Sequence, residues 1–282
     1  MLLQAPAKLN LCLYLGRARE DGLHELCSLF EPLALADLIE VSPAERDEVV
    51  CPGVEGENLA ARALAGLRER GWEREPLRIE IEKRVPVAAG LGGGSGDAAA
   101  VLRLAAGEVA DLPQLAAALG ADVPSQLRPA LALVRGAGEH VELLPEPAEH
   151  AAVLLPGGGG LSTAAVFAEA DRLGLGRSGE ELEELEELAA RLREVAGAGA
   201  SPLDYPDLLV NDLEPAALSL RPDVGGALEA LRAAGAPKAI LSGSGPTAVG
   251  LFRDRAAAKA AAESLDAEEA IVCAAGHAKL AP

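Results

Sequence analysis

Five glycines fall within the eight residues Gly90-Leu91-Gly92-Gly93-Gly94-Ser95-Gly96-Asp97, and few architectures can use such a loop. Upstream, Leu77, Ile79 and Ile81 alternate with polar residues in LRIEIEK, the pattern of a half-buried strand. Downstream, AAAVLRLAAGEVA reads as one continuous helical run. A strand–Gly loop–helix unit brings backbone N–H groups together at a helix N-terminus, where the helix dipole adds to their attraction for an anion. Glycine lets that backbone approach a ligand without a Cβ in the way. Phosphate cradling is the natural use. The loop lacks the Lys that ends a Walker A sequence, so a P-loop NTPase is excluded. The dinucleotide pattern G-x-G-x-x-A is met at Gly94–Ala99, but also at Gly243–Ala248, where Pro246 removes a donor. A nicotinamide-dependent oxidoreductase further needs an acidic residue at the end of a second strand about 20 residues on.

A second strand is legible at AKLNLCLYL, residues 7–15. A period of two places Leu9, Leu11, Leu13 and Leu15 on one face, and Lys8, Asn10, Cys12 and Tyr14 on the other. Further on come a helix around residues 113–119, the turn GADVPS, and a strand AAVLLP that runs into Gly157–Gly160. Ser178 and Glu181 have the spacing of a capping box for an acidic helix whose Leu182, Leu185, Leu188 and Leu192 form one stripe. Glu187 and Arg191 are spaced for a pair along that helix. AIL then leads into the strand–Gly loop–strand SGSGPTAVGLF and an Ala-rich helix from about residue 255. Strands and helices alternate without an internal repeat, so the class is mixed α and β, and the Pro-rich PEPAEH at 145–150 marks a domain boundary.

With 282 residues, half of them hydrophobic, the chain has material for two domains, although aromatics are only 2% and aliphatic side chains must fill the core. A net charge of −19 argues against nucleic acid and anionic membrane as partners. Cys12, Cys27, Cys51 and Cys273 are too scattered for a zinc site or a disulfide framework. No apolar run is long enough to span a membrane, and the expectation is a soluble, cytoplasmic protein. Taken singly, Lys8 reads as a solubilising strand residue, Asp122 as a cap or turn aspartate, and His24 as a turn or surface histidine.

Four segments in order change that reading: PAKLNLCLYLGRAREDGLHELCSLF, KRVPVAAGLGGGSGDAA, GADVPS and LSGSGPTAVGLF. Together with GENLAARAL they resemble the GHMP kinase family. The resemblance implies an α+β, two-domain fold: a ribosomal protein S5 domain 2-like N-terminal domain over 1–148 and a ferredoxin-like C-terminal domain over 149–282. It implies ATP, with Mg²⁺, as phosphoryl donor to a small alcohol. The long Gly loop and DGLHEL point, within the family, to the 2-hydroxyl of a cytidine diphosphate-linked methylerythritol, in non-mevalonate isoprenoid precursor synthesis. A homoserine, mevalonate or sugar alcohol is the alternative; a non-catalytic descendant would have no need of both Lys8 and Asp122. By position, Lys8 and Asp122 match the catalytic pair. Asn58, Lys83 and the run Pro86, Val87, Ala88, Ala89, Gly90, Leu91, Gly92, Gly93, Gly94, Ser95 and Gly96 match the ATP site. Asn10 matches a substrate-phosphate contact, His24 a cytosine contact, and Thr163 and Phe167 the lining of the base pocket. Dedicated metal ligands are not implied, and a monomer or homodimer is expected. Gly96 stands where the family carries a second serine, so a hydroxyl expected near the phosphates is missing. Leu23 stands where it carries a base-stacking aromatic, and Ser125-Gln126 replace two aromatics behind Asp122.

Overall fold

A computed structural model describes residues 1–54, 56–177, 181–265, 267 and 269–275. Among them the order is β1 (Leu2–Ala18), β2 (His24–Pro43), β3 (Glu48–Val50), α1 (Leu59–Glu69), β4 (Leu77–Glu82), α2 (Gly93–Arg103), α3 (Leu112–Leu119), α4 (Val123–Gln126), β5 (Ala132–Gly136) and β6 (His140–Leu143). Then follow β7 (His150–Leu155), α5 (Thr163–Leu173), α6 (Glu181–Gly197), α7 (Glu214–Leu220), α8 (Asp223–Ala233), β8 (Lys238–Leu241), β9 (Ala248–Phe252), α9 (Arg255–Ser264) and β10 (Ile271–Ala275).

The 20-residue β2 organises the molecule. It runs antiparallel to β1 along most of its length, pairs with β5 through Leu26–Phe30 and with β4 through Leu38–Pro43, and meets β10 at Leu33. Helices α1 and α2 cover one side of this sheet, burying Leu64, Leu67, Val101 and Leu102 against Ile39, Ile79 and Ile81. Beyond the segment 145–149, the strands lie in the order β10-β7-β9-β8, all antiparallel, with α8 and α9 packed on them. That is the βαββαβ order of a ferredoxin-like unit. Both halves thus combine strands and helices, as the alternation in the sequence implies. The largest core cluster draws Leu9, Leu29 and Leu33 together with Leu154, Ile240 and Val249, so the stretches before and after 145–149 share apolar packing.

Three expectations are corrected. The leucines of β1 do not share one face. Asn10 faces Phe30 and Cys12 faces Leu29, so Leu11 is an extra residue, a bulge that inverts the alternation beyond it. Leu9, Leu11, Cys12 and Tyr14 enter the main core, whereas Leu13 and Leu15 pack with Val166 and Leu213. Secondly, the helix after the Gly loop begins inside that loop at Gly93 and ends at Arg103, leaving Leu104–Glu108 in turns. Thirdly, the ion pairs of α6 run outward, Arg193 to Glu142 and Glu186 to Arg135, rather than between Glu187 and Arg191. Leu185 and Leu192 are buried as the stripe predicts. The capping box at Ser178 lies outside the described residues.

Candidate active site

A cleft of about 470 Å³ opens at the N-terminal end of α2. Lys8, Asn10, Asn58, Lys83, every residue from Pro86 to Ser95, Asp122, Thr163 and Phe167 line it. One fold thus gathers residues from β1, the Gly loop, the start of α4 and the start of α5. Two expected site residues stand elsewhere. Gly96 is buried; it donates its N–H to Gly92 O at 2.8 Å, and a Cβ on it would lie 3.0 Å from Pro6 O. A hydroxyl at residue 96 would therefore face β1, not the phosphates, which corrects the expectation that one is missing there. His24, which the resemblance makes a cytosine contact, is buried at the start of β2 rather than in a surface turn. Its ring centroid is 5.0 Å from that of Phe167, and its Nε2 is 2.8 Å from Asp171 Oδ1. It sits behind the cleft wall that Phe167 forms, and its neighbour Leu23 is exposed.

The Gly loop owes its path to two close approaches. Gly90 has φ +76°, and a Cβ there would lie 2.7 Å from the carbonyl oxygens of both Ser242 and Gly245. Gly92, at φ +67°, opens α2, and a Cβ on it would lie 2.8 Å from Lys8 Cγ. The second Gly-rich loop thus braces the first. Ser242 Oγ donates to Gly90 O at 3.1 Å, Thr247 Oγ1 to Ala89 O at 2.6 Å, and β1 joins through Lys8 N–H to Leu91 O at 2.9 Å. Because Gly93, Gly94 and Ser95 are the first residues of α2, their N–H groups have no acceptor within the helix and are available to an anion. Asn58 caps α1, accepting from Ala60 N–H at 2.8 Å, and so stands at the cleft edge as the N-terminal residue of a second helix.

Lys8 is no solubilising residue: its side chain is 7% exposed. Its Nζ lies 2.6 Å from Asn10 Oδ1, 3.2 Å from Asp122 Oδ2 and 4.7 Å from the centre of the Phe30 ring. Asn10 is fixed in turn, donating through Nδ2 to Ser28 Oγ at 3.0 Å. The Asp122 side chain makes no cap bond to α4, so its carboxylate is committed to Lys8 and the cleft. Ser125, in place of an aromatic, donates to Asp122 O at 2.8 Å.

Lys83 presents an arrangement not legible in sequence. Its ammonium is held between Asp37, in a very close pair, and Asp97 Oδ2 at 2.8 Å. Asp37 Oδ1 also accepts from Arg84 N–H at 2.6 Å and Val85 N–H at 2.8 Å, fixing the chain where it enters the Gly loop. Burial alone would pull the Lys83 ammonium down, but the two carboxylates outweigh it and hold the group above its ordinary range. One ammonium cannot satisfy both acids. Burial pushes the Asp97 carboxyl up to about 7, and its Oδ1 has no partner. Asp37, Asp97, Ser242 and Thr247 are the contributors missed. Asp97 closes the first Gly-rich loop, and Ser242 and Thr247 flank the second, whereas nothing in the sequence marks Asp37.

Residues 58–127 match the GHMP kinases N terminal domain, and residues 164–271 match the GHMP kinases C terminal. This chain is a GHMP kinase. Among curated relatives it is 40% identical to the 4-diphosphocytidyl-2-C-methyl-D-erythritol kinase of Kineococcus radiotolerans, covering 93% of this chain and 85% of that one. It is 41% identical to the enzyme of the same name from Anaeromyxobacter sp. strain Fw109-5, covering 95% and 87%. A crystal structure of 4-(cytidine 5'-diphospho)-2C-methyl-D-erythritol kinase superposes on this GHMP kinase with a TM-score of 0.79 at 36% identity, over 98% of this chain and all of the other. Homoserine kinase from Cytophaga hutchinsonii shares the fold at a TM-score of 0.71 and 18% identity. Among the described residues of this GHMP kinase, no helix is long and apolar enough to cross a membrane.

Proposed function

We propose that this GHMP kinase transfers the γ-phosphoryl group of ATP to the 2-hydroxyl of 4-diphosphocytidyl-2-C-methyl-D-erythritol, a step of non-mevalonate isoprenoid precursor synthesis. The observation that carries the reading is the Lys8–Asp122 pair, 3.2 Å apart at the cleft whose other wall is the Gly loop. Phosphoryl transfer asks little covalent chemistry of a protein; alignment and charge neutralisation dominate. On this reading the N–H groups of Gly93, Gly94 and Ser95 hold phosphate oxygens, while Asn58 and Val87 flank the nucleotide. Asp122 orients the substrate hydroxyl and takes its proton as the oxygen–phosphorus bond forms and the bond to ADP breaks. Lys8 steadies the developing alkoxide, and Asn10 keeps the ammonium aimed. Thr163, with its hydroxyl 2.9 Å from Ser244 Oγ, and Phe167, backed by His24, form the base-side wall.

Among the described residues no cluster of three or more acidic, His or Cys side chains could hold a metal ion. Mg²⁺ brought with ATP would take most of its ligands from phosphate and water, beside Ser95 and Asp97, which line the cleft and of which Asp97 Oδ1 has no partner. Bound with ATP, Mg²⁺ neutralises phosphate charge. The enzyme then works in the cytoplasm as a monomer or homodimer.

The test is ADP release measured against a panel of alcohols: the cytidyl substrate, homoserine, mevalonate and sugars. Turnover is expected with the cytidyl substrate, and Asp122→Ala is expected to lower kcat by about 10²–10⁴-fold with ATP affinity kept within a few-fold. Turnover confined to another alcohol would replace the substrate, and a wild-type single-turnover rate in Asp122→Ala would remove Asp122 from the chemistry.

A further inference from the structure

Arg103, the last residue of α2, was not singled out by any motif. It is half-buried, and among the described residues it has no acidic partner. Its guanidinium instead donates to two backbone carbonyls: Nη2 to Gln4 O at 2.7 Å and Nη1 to Gln126 O at 2.8 Å. Gln4 lies four residues before Lys8 on β1, and Gln126 lies four residues after Asp122 at the end of α4. Removing a cation from water without a counter-charge is costly, and burial pulls the Arg103 guanidinium down to about 10. A planar group with five donors nonetheless binds two diverging carbonyls at once, in a fixed fork geometry that a lysine ammonium lacks.

We infer that Arg103 is a positioning residue for phosphoryl transfer, clipping β1 to α4 so that Lys8 and Asp122 are held at their working separation. The two elements are then joined by two rungs, the Lys8–Asp122 pair and the Arg103 clip. The clip belongs to the helix whose other end carries the phosphate loop. The Asp122 backbone is held locally by Ser125 and by the buried Val123, but the Asp122 side chain caps nothing, and α4 is a single turn whose placement against β1 rests on few ties. Loosening the clip should therefore misplace the acid relative to the lysine while leaving Gly93, Gly94 and Ser95 in place. The inference rests on Lys8 and Asp122 being the catalytic pair.

The experiment compares wild type, Arg103→Met, Asp122→Ala and the double variant, each titrated with ATP to count folded, nucleotide-competent sites. Per competent site, Arg103→Met is expected to lose about 10–100-fold in kcat, with KM for ATP changed less than about threefold. In the Asp122→Ala background the same substitution is expected to cost less than about threefold, because the group it positions is gone. An unchanged kcat in Arg103→Met, or an equal fractional loss in both backgrounds, would overturn the inference. If Arg103→Met fails to fold, Arg103→Lys is read by the same criteria. A wild-type rate in Asp122→Ala would instead sink the catalytic pair itself, so the two failures are distinguishable.

Discussion

At the scale of single residues, position 96 separates what a motif says from what a side chain does. Set beside the family's serine, Gly96 looks like a lost ligand. In the fold its Cβ direction points to Pro6 O, and its N–H is already used inside α2. Gly96→Ser is therefore expected to cost roughly 1 kcal/mol of stability through crowding against β1, with no fall in KM for Mg·ATP. Urea midpoints and nucleotide saturation curves check both halves; a lower KM at unchanged stability would mean that the loop shifts and the hydroxyl does reach the nucleotide. The pairing of Lys8 with Asn10 could be read directly from the two-residue period of β1. That Lys8 meets Asp122 could not, because nothing local links a strand to a turn more than a hundred residues later; only the family resemblance joined them. Asp37 was invisible for a related reason. A lone acid in an apolar strand has no signature until Lys83 and two N–H groups fold onto it.

Among elements, boundaries and bulges were the illegible part. With apolar residues on both faces of β1, nothing in the sequence marks Leu11 as supernumerary. The start of α2 was hidden because glycine has low helix propensity, and here position at a loop brace overrides it. That brace carries its own expectation. Gly90→Ala places a methyl group against two rigid carbonyls at 2.7 Å in a left-handed conformation. It is expected to lower stability by about 1–3 kcal/mol and to raise KM for ATP more than it lowers kcat, since the phosphate loop takes the displacement directly and Lys8 only through its N–H bond to Leu91 O. Thermal unfolding together with steady-state kinetics gives the answer, and an equal fall of kcat at unchanged KM would show that the loop braces the catalytic pair instead.

For the whole molecule, the strand pattern, the two Gly-rich loops and the α+β class were all readable, whereas the tie between the halves was not. His150, the first residue of β7, is fully buried, with Nε2 3.0 Å from Glu31 Oε2 on β2 and Nδ1 2.9 Å from Ala148 O. Burial would lower the imidazole's proton affinity, but Glu31 outweighs it and the pKa is raised. A raised histidine pKa adds stability that is fully present below the ordinary value of about 6.5 and fades as pH climbs through the folded one. Nearby Cys273 and Tyr205 are themselves pushed up by burial, Cys273 to about 12, so neither ionises in that window. The wild type is thus expected to lose stability between pH 6 and pH 9 by a component that His150→Gln lacks, as urea midpoints at the two pH values will show; parallel slopes would mean that His150 stays neutral throughout. The same strand that carries Glu31 has further reach. Since β2 also meets β10 at Leu33 and carries Glu31 against His150, a swap of either half for that of a distant relative must rebuild the contacts around that short stretch of the strand. A chimera that kept β2 but not His150 would leave the buried Glu31 carboxyl without the imidazole that now faces it.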